Sequence, residues 1–188
     1  MSETIMDLKQ RFTEQWRSLS VRQRKYAEIA GQVLIFVAGF LLVSNFQARN
    51  LLAADRQEAP QLQGQLLQGP EYDLSHTAAD STLVYFFAPW CAVCNASSDN
   101  ITRLRKLRDP HKLQIVMVAV AWDSEADVRA FATRNNINVP IVLGNPKIIQ
   151  DWKISGFPSY YVLDGQRQVV SKDFGYSTQL GLWWRTWI

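Results

Sequence analysis

The most constraining feature of this sequence is an apolar run that leads almost directly into two closely spaced cysteines. Residues 82–88 read TLVYFFA, a β-branched and aromatic run typical of a strand buried on both faces. Cys91 and Cys94 follow a Pro-Trp pair, and apolar residues at helical spacing continue towards residue 108. The pattern therefore predicts a buried strand, a turn that carries the cysteines, and a helix.

The cysteine pair has the spacing of a reactive dithiol. The chain has 2 cysteines, which excludes a multi-disulfide scaffold and a four-cysteine zinc site built from one chain. Cys91 is predicted at the helix N-terminus, where free backbone N–H groups and the helix dipole stabilise a thiolate. Cys94, one turn further in, is predicted to be more buried. The outer thiolate can attack a partner's disulfide, and the inner thiol can then resolve the mixed disulfide.

Other uses of the pair remain open. A structural disulfide would close so short a loop that it would stabilise the fold only modestly. A copper or zinc site needs further ligands, and His76 and His111 stand at no supporting local spacing. A peroxidase also uses a reactive thiol, but Trp-Cys-x-x-Cys at a helix start favours dithiol exchange. The main alternative to an enzyme is a metal-handling or redox-sensing domain that uses the thiols without turnover.

The residues after the cysteines alternate between strand-like and helical patterns. A second buried strand is expected at 113–121, and Asp123-Ser124 can cap a helix that ends at Arg134. This βαβα order predicts an α/β domain with parallel strands covered on both sides. We expect a strand at 139–143, a helix at 146–153, and a hairpin at 159–174 with a type I′ turn at Asp164-Gly165. A tryptophan-rich helix is expected at 178–188, packed in the core or against lipid or a partner.

The N-terminal part contains a candidate membrane span. Residues 29–46 read IAGQVLIFVAGFLLVSNF and carry no charge. As a helix this run is about 27 Å long, close to the thickness of a hydrocarbon core. Residues 1–28 hold six basic and four acidic side chains, whereas the twenty residues after the run hold two basic ones. This asymmetry predicts a cytoplasmic N-terminus. The leader of nearly thirty residues and the poor cleavage site near Ala53-Ala54 favour an uncleaved anchor over a signal peptide.

The sequence thus divides into four parts. These are a cytoplasmic leader at 1–28, a transmembrane helix at 29–46, a stalk or linker at 47–70 rich in Gln and Ala and interrupted by Pro and Gly, and a domain at 71–188. Over 47–188 the chain has 14 basic and 13 acidic residues. Near-neutrality argues against nucleic acid as a partner, since nucleic-acid binding needs a concentrated basic face.

The residues around the two cysteines and before the hairpin together resemble those of a known family. The segment FFAPWCAVC, with Gly156-Phe157-Pro158 before a hairpin and Gly175 after it, resembles the thioredoxin fold. It is similar in particular to the membrane-anchored, extracytoplasmic TlpA/ResA-like branch that includes ScsD-type proteins, over residues 71–188. The resemblance implies an α/β, thioredoxin-like fold with a central mixed sheet flanked by helices, preceded by one transmembrane helix.

The resemblance also implies roles for five residues. Cys91 would be the nucleophile and Cys94 the resolving thiol. Trp90 would shield the pair and shape the contact surface. Pro158 would be a cis-proline facing the cysteines, and the Phe157 backbone would be offered to an extended substrate segment. No cofactor and no metal are expected.

The function implied is that of a periplasmic thiol-disulfide oxidoreductase tethered to the bacterial inner membrane through residues 29–46. Its substrates would be proteins with disulfides or thiols, such as apocytochromes or proteins damaged under copper or oxidative stress. Its electrons would come from a membrane thiol-disulfide transporter. With neutral Ala92-Val93 between the cysteines, a reductase is favoured over an oxidase.

Two departures from the family pattern bear on the mechanism. Tyr85 stands where thioredoxins keep a buried acid, and Ser97 stands where ResA-like proteins keep another. An unperturbed phenol is a poor base at neutral pH, so Tyr85 is expected in the core and no proton acceptor for Cys94 is evident. Pro140 is a weaker candidate for the cis-proline than Pro158, because no hairpin turn follows it.

Overall fold

A computed structural model describes residues 21–49 and 51–187. The chain divides into two units, one that ends at Val43 and one that begins at Ser44. All of the strands that the structure describes belong to the second unit.

The first described element is a long helix, α1 (Val21–Arg49). It contains the apolar run at 29–46, and its Leu34 and Phe36 side chains are 71% and 76% exposed. Within the described part of the chain, no helix combines the length and the apolarity that a membrane crossing requires. The predicted leader falls largely on residues 1–20, which lie outside the described residues.

The second unit is built on a mixed five-stranded sheet. Its strands are β3 (Ser81–Phe87), β4 (Leu113–Ala119), β5 (Ile141–Leu143), β6 (Ser159–Asp164) and β7 (Val169–Phe174), in the order β5-β4-β3-β6-β7. Strand β3 is central, parallel to β4 and antiparallel to β6. The outer strands are β5, which is parallel to β4, and β7, which is antiparallel to β6. The predicted central mixed sheet is confirmed.

The helices of this unit begin where the sequence carries capping residues. The Ser124 side chain accepts a hydrogen bond from the Asp127 backbone N–H, and the Asp127 carboxylate accepts one in return, which forms a capping box. Asn145 caps the next helix, with a proline at its first position. The four helices are α2 (Ala92–Leu107), α3 (Glu125–Arg134), α4 (Pro146–Asp151) and α5 (Gln179–Arg185).

Strand β3 separates two hydrophobic cores. All of its side chains are buried, and they alternate between the two faces of the sheet. Tyr85 and Phe87 join one core with residues from α2, α3 and α5. Val84 and Phe86 join the other with residues from α4, including a fully buried contact between Phe86 and Trp152 at the end of that helix. The continuous apolar run is therefore explained by burial on both faces.

The segment expected to be a stalk belongs to this unit from residue 51 onward, which corrects the predicted boundary at 70/71. Its leucines occur as two adjacent pairs and one single residue, so they have no strand or helix periodicity, yet they join the second core and part of the first. Short strands β1 (Gln63–Gln65) and β2 (Glu71–Asp73) pair as a separate antiparallel ribbon. The buried leucines, each at most 7% exposed, are Leu51, Leu52, Leu62 and Leu67.

The same segment hydrogen-bonds to both outer strands of the large sheet. At β7, the Arg56 N–H donates to the Val169 carbonyl at 3.0 Å, and the Val169 N–H donates to Gln57 at 2.9 Å. At β5, the Leu67 N–H donates to the Ile141 carbonyl at 2.8 Å. Residues 51–70 thus hydrogen-bond to backbone groups on both outer strands, which would otherwise lack partners at the edges of the sheet.

The predicted type I′ turn at Asp164-Gly165 is wrong. That turn needs positive φ at both central residues, whereas the left-handed residue of the observed loop is Arg167, with φ 60°. The Asp164 carboxylate accepts hydrogen bonds from the backbone N–H groups of Gln166 and Gln168 at 3.0 and 2.9 Å. This side chain therefore organises a longer loop than the two-residue turn.

Gly144, directly after β5, packs closely against the end of β4. A Cβ atom there would lie 2.7 Å from both the Ala119 carbonyl oxygen and a Val120 methyl group. We therefore expect Gly144→Ala to lower the free energy of unfolding by about 1–3 kcal/mol. Gly165→Ala is the matched control, because its Cβ would meet Asp80 at an ordinary 3.5 Å. Guanidinium unfolding that gives equal stabilities for the two variants would contradict the predicted clash.

Candidate active site

The two cysteines lie at the point where the central strand passes into α2. Cys91 is the N-cap of this helix, and its Sγ accepts a hydrogen bond from the Cys94 backbone N–H at 3.1 Å. Sulfur thus takes the capping place that a serine or aspartate oxygen more often fills. A negative charge on this atom is favoured by the helix dipole and by the N–H group aimed at it. Both cysteines are free thiols.

The two thiols differ in their access to solvent. Cys91 is 7% exposed, whereas Cys94 is fully buried. Burial raises the pKa of the Cys94 thiol, and the neighbouring Cys91 sulfur raises it further. A hydrogen bond from Tyr85 acts in the opposite direction and lowers the Cys94 pKa. The predicted difference in burial between the two thiols is confirmed.

The loop before β6 faces the outer thiol. The Phe157–Pro158 peptide bond is cis, which confirms the prediction for Pro158, and among the described residues Pro140 is not in a cis bond. The Cys91 Sγ lies 3.8 Å from the Phe157 carbonyl oxygen. The backbone of Phe157 and the reactive sulfur therefore belong to one surface.

Trp90 forms an exposed apolar wall beside the dithiol. Its ring packs edge-on against Phe157 with centroids 5.9 Å apart, and it is 67% exposed. The indole N–H donates to the Ala121 carbonyl at 2.8 Å, which fixes the ring's orientation. The structure thus brings Trp90, Phe157 and the two cysteines together as the sequence predicted.

Behind Cys94 lies a polar contact that the sequence analysis missed. The Tyr85 hydroxyl is 2.7 Å from the Ser97 Oγ, and both side chains are buried. Burial and then the proximity of Cys94 raise the Tyr85 pKa well above its ordinary value. The two positions where related proteins were expected to carry acids therefore hold two neutral hydroxyls that bond to each other. The available signal was that both replacements fall at positions flanking the same cysteine.

The described residues offer no evident metal centre. Among them, no group of three or more His, Cys, Asp or Glu side chains lies close enough together to hold a metal ion. His76 ends a short 3₁₀ turn and His111 lies in the turn before β4, and both are exposed.

A mixed sheet, a dithiol at the start of the helix after its central strand, and an opposing cis-proline together define a thioredoxin-like protein. Residues 56–172 match the AhpC/TSA family, and this chain belongs to that family.

Named relatives and solved structures agree with this class. The chain is 27% identical over 143 residues to a thioredoxin-like protein, YneN, of Bacillus subtilis, covering 72% of this chain and 82% of the relative. It is 22% identical to the thiol-disulfide oxidoreductase ResA of Bacillus cereus, covering 78% and 85%. A DsbF homologue from Corynebacterium diphtheriae superposes with a TM-score of 0.63 at 20% identity, over 72% of this chain and 88% of that one. The last comparison supports the thioredoxin-like fold.

The buried acids of the site predict how stability depends on pH. Burial raises the pKa values of Cys94, Tyr85 and Tyr160, so the folded chain holds these protons to higher pH than the unfolded chain does. Their contribution to stability is therefore complete below the unfolded pKa values and is lost as pH rises. The ordinary thiol value is 9.0, so we expect the stability of the reduced protein to fall above that pH.

The contribution of Cys94 can be isolated by Cys94→Ala under reducing conditions. Removal of one such group should make the alkaline fall in the free energy of unfolding shallower by up to about 1.4 kcal/mol per pH unit. Urea unfolding between neutral pH and pH values above the thiol range measures both slopes. Equal slopes for the parent and the variant would show that the Cys94 thiol does not resist ionisation in the folded chain.

Proposed function

We propose that this chain is a thiol-disulfide oxidoreductase that exchanges disulfides with other proteins. The observation that carries the proposal is the asymmetric dithiol: Cys91 caps α2 beside the Phe157 carbonyl, and Cys94 lies buried behind it. The relatives named ResA and YneN support the same class of activity.

The proposed reaction has two balanced steps. The Cys91 thiolate attacks one sulfur of a partner's disulfide, so that a mixed disulfide forms and the partner's other sulfur leaves as a thiolate and takes up a proton. Cys94 then loses its proton and attacks the Cys91 sulfur. The mixed disulfide breaks, the Cys91–Cys94 disulfide forms, and the partner leaves with two thiols. The partner gains two electrons and the dithiol is oxidised.

The surface around Cys91 suits an extended peptide segment. Trp90 and Val93 are 67% and 44% exposed, which leaves apolar area next to the sulfur. The Phe157 carbonyl oxygen lies 3.8 Å from the Cys91 sulfur, so this backbone borders the same surface. We propose that a substrate segment contacts this backbone while its sulfur approaches Cys91.

We further propose that the protein acts as a reductase. The residues between the cysteines, Ala92 and Val93, place no cationic side chain beside the thiolate. A cation there would stabilise the reduced form and make the pair more oxidising. The electrons that regenerate the dithiol would come from a membrane thiol-disulfide transporter, as the resemblance to the TlpA/ResA-like branch implies.

We also propose that residues 29–46 tether the protein to the bacterial inner membrane, with the N-terminus in the cytoplasm and the dithiol domain in the periplasm. The support is the uncharged run, the excess of basic residues before it, and the exposure of its apolar side chains on α1.

The roles of the two cysteines can be separated by trapping. Cys94→Ser should accumulate mixed disulfides at Cys91 in cells, because the attack remains and the resolving thiol is gone. Cys91→Ser, the matched control, should accumulate none, and both variants should lose insulin-disulfide reduction. Non-reducing gels followed by mass spectrometry identify the captured proteins. The metal-handling alternative would be favoured instead if Cys94→Ser traps no protein, and if the parent retains copper but does not reduce insulin.

The tether is tested by the double variant Leu34→Arg and Phe36→Arg. Each arginine near the centre of a span costs about 2.5–3.5 kcal/mol of insertion free energy, so the protein should move from the membrane fraction to the soluble fraction. The corresponding double alanine variant should stay with the membranes. Recovery of the parent chain in the soluble fraction, or of the arginine variant in the membranes, would contradict the tether.

A further inference from the structure

The surroundings of Cys94 hold a feature that disulfide exchange in general does not require. The side chains of Cys91 and Tyr85 both affect the pKa of this thiol, and a hydrogen bond from the Tyr85 hydroxyl favours the thiolate form. Ser97 lies one turn after Cys94 on α2, and its Oγ is 2.7 Å from the Tyr85 hydroxyl and 3.4 Å from the Cys94 carbonyl oxygen. Among the described residues, those with the largest effects on the Cys94 pKa include no carboxylate.

We propose that Tyr85, held in place by Ser97, is a catalytic residue that donates a hydrogen bond to the Cys94 thiolate while the mixed disulfide is resolved. This inference rests on the proposed function, since it concerns the second step of that reaction. It assigns a chemical role to a buried phenol that core packing alone would not require.

The hydroxyl pair can reverse its direction without moving a heavy atom. Either oxygen can be the donor across the 2.7 Å contact, because hydroxyl hydrogens rotate to suit their partners. While Cys94 is a thiol, Tyr85 donates to Ser97 and Ser97 donates to the Cys94 carbonyl oxygen. When Cys94 becomes a thiolate, Tyr85 turns its hydrogen to the sulfur and Ser97 donates to the phenol oxygen. The thiolate therefore gains a donor at the moment it forms.

Tyr85 acts as a donor and not as a base. Burial raises its pKa well above the ordinary phenol value, so it keeps its proton throughout the reaction. The proton lost by Cys94 is taken up, through solvent, by the sulfur that leaves Cys91. The Cys91–substrate bond breaks and the Cys91–Cys94 bond forms, so tyrosine changes neither its charge nor its oxidation state.

The other titratable groups near Cys94 are committed elsewhere. The Tyr160 ring is 5.3 Å from that of Tyr85, but its hydroxyl donates to the Gly175 carbonyl oxygen. Beyond it, Asp173 forms an ion pair with Arg185 at 2.7 Å and acts on Tyr160 rather than on the sulfur. Cys91 is itself bonded to substrate during resolution. The rate of resolution should therefore rise with alkaline pH as Cys94 ionises, without a carboxylate inflection at acidic pH.

The two steps can be timed separately in the full chain with dithiobis(nitrobenzoate), an aromatic disulfide whose thiolate is coloured. Attack by Cys91 releases the first coloured thiolate at a rate proportional to reagent concentration. Resolution by Cys94 releases the second at a rate independent of it. Tyr85→Phe should slow the second release about 10- to 100-fold, the range for one lost hydrogen bond to a charged group, and leave the first release unchanged.

Two further variants give the comparison its controls. Tyr161→Phe removes an equally buried hydroxyl from the other core, where it donates to Trp152, and should leave both releases unchanged. Ser97→Ala keeps the phenol but removes its partner, and should slow the second release less than Tyr85→Phe does. In Tyr85→Phe, the pH at which resolution accelerates should also move upward, because the thiolate has lost its donor.

Each remaining outcome counts against a specific statement. A second release in Tyr85→Phe within about twofold of the parent, or an equal slowing of both releases, overturns the proposal and leaves Tyr85 as a packing residue. If Tyr85→Phe does not fold, an unchanged second release in Ser97→Ala overturns it. A parent protein whose Cys91 gives no first release would overturn the proposed function itself.

Discussion

Burial of β3 on both faces is the constraint on which the rest of the structure depends. A strand whose side chains are all buried needs one layer above the sheet and another below it. The first layer comes from α2, α3 and α5, and the second comes from α4 together with residues 51–74. Because α2 begins just after this strand ends, Cys91 lies at the edge of the core as the helix N-cap, and Cys94 lies inside the core. The difference between the two thiols is thus a consequence of how the core is covered.

This placement sets the chemical problem at the second sulfur. A thiol in a dry interior resists ionisation, yet it must be a thiolate to complete an exchange. A buried carboxylate would solve this by accepting a proton, but it would add a charge that the core must tolerate. Two hydroxyls carry no charge in any protonation state reached near neutral pH. They also hydrogen-bond to each other while the thiol is at rest, so neither hydroxyl is left without a partner.

The sequence predicted those parts of the fold whose signals are local. The continuous run at β3, the capping residues before α3 and the Phe-Pro pair before β6 each announce their structure within a few residues. The packing of Leu51 and Leu62 could not be predicted, since the leucines of this segment, two adjacent pairs and one single residue, show neither strand nor helix periodicity. The contact between Tyr85 and Ser97 joins a strand to a helix across the cysteine turn, and no local pattern in the sequence indicates that the two hydroxyls meet. The hairpin itself is confirmed, but its predicted turn type is wrong because the Asp164 side chain organises a longer loop.

The segment that hydrogen-bonds to both outer strands has a consequence for the behaviour of the protein in a crowded compartment. Exposed strand edges are templates on which a second chain can add, and proteins that leave them open are prone to aggregate. Here one continuous stretch, from Arg56 to Leu67, meets β7 at one side and β5 at the other. Solubility of the domain is thereby linked to this segment. A fragment cut to the predicted boundary at residue 71 would keep its dithiol, but it would present two open edges to its neighbours.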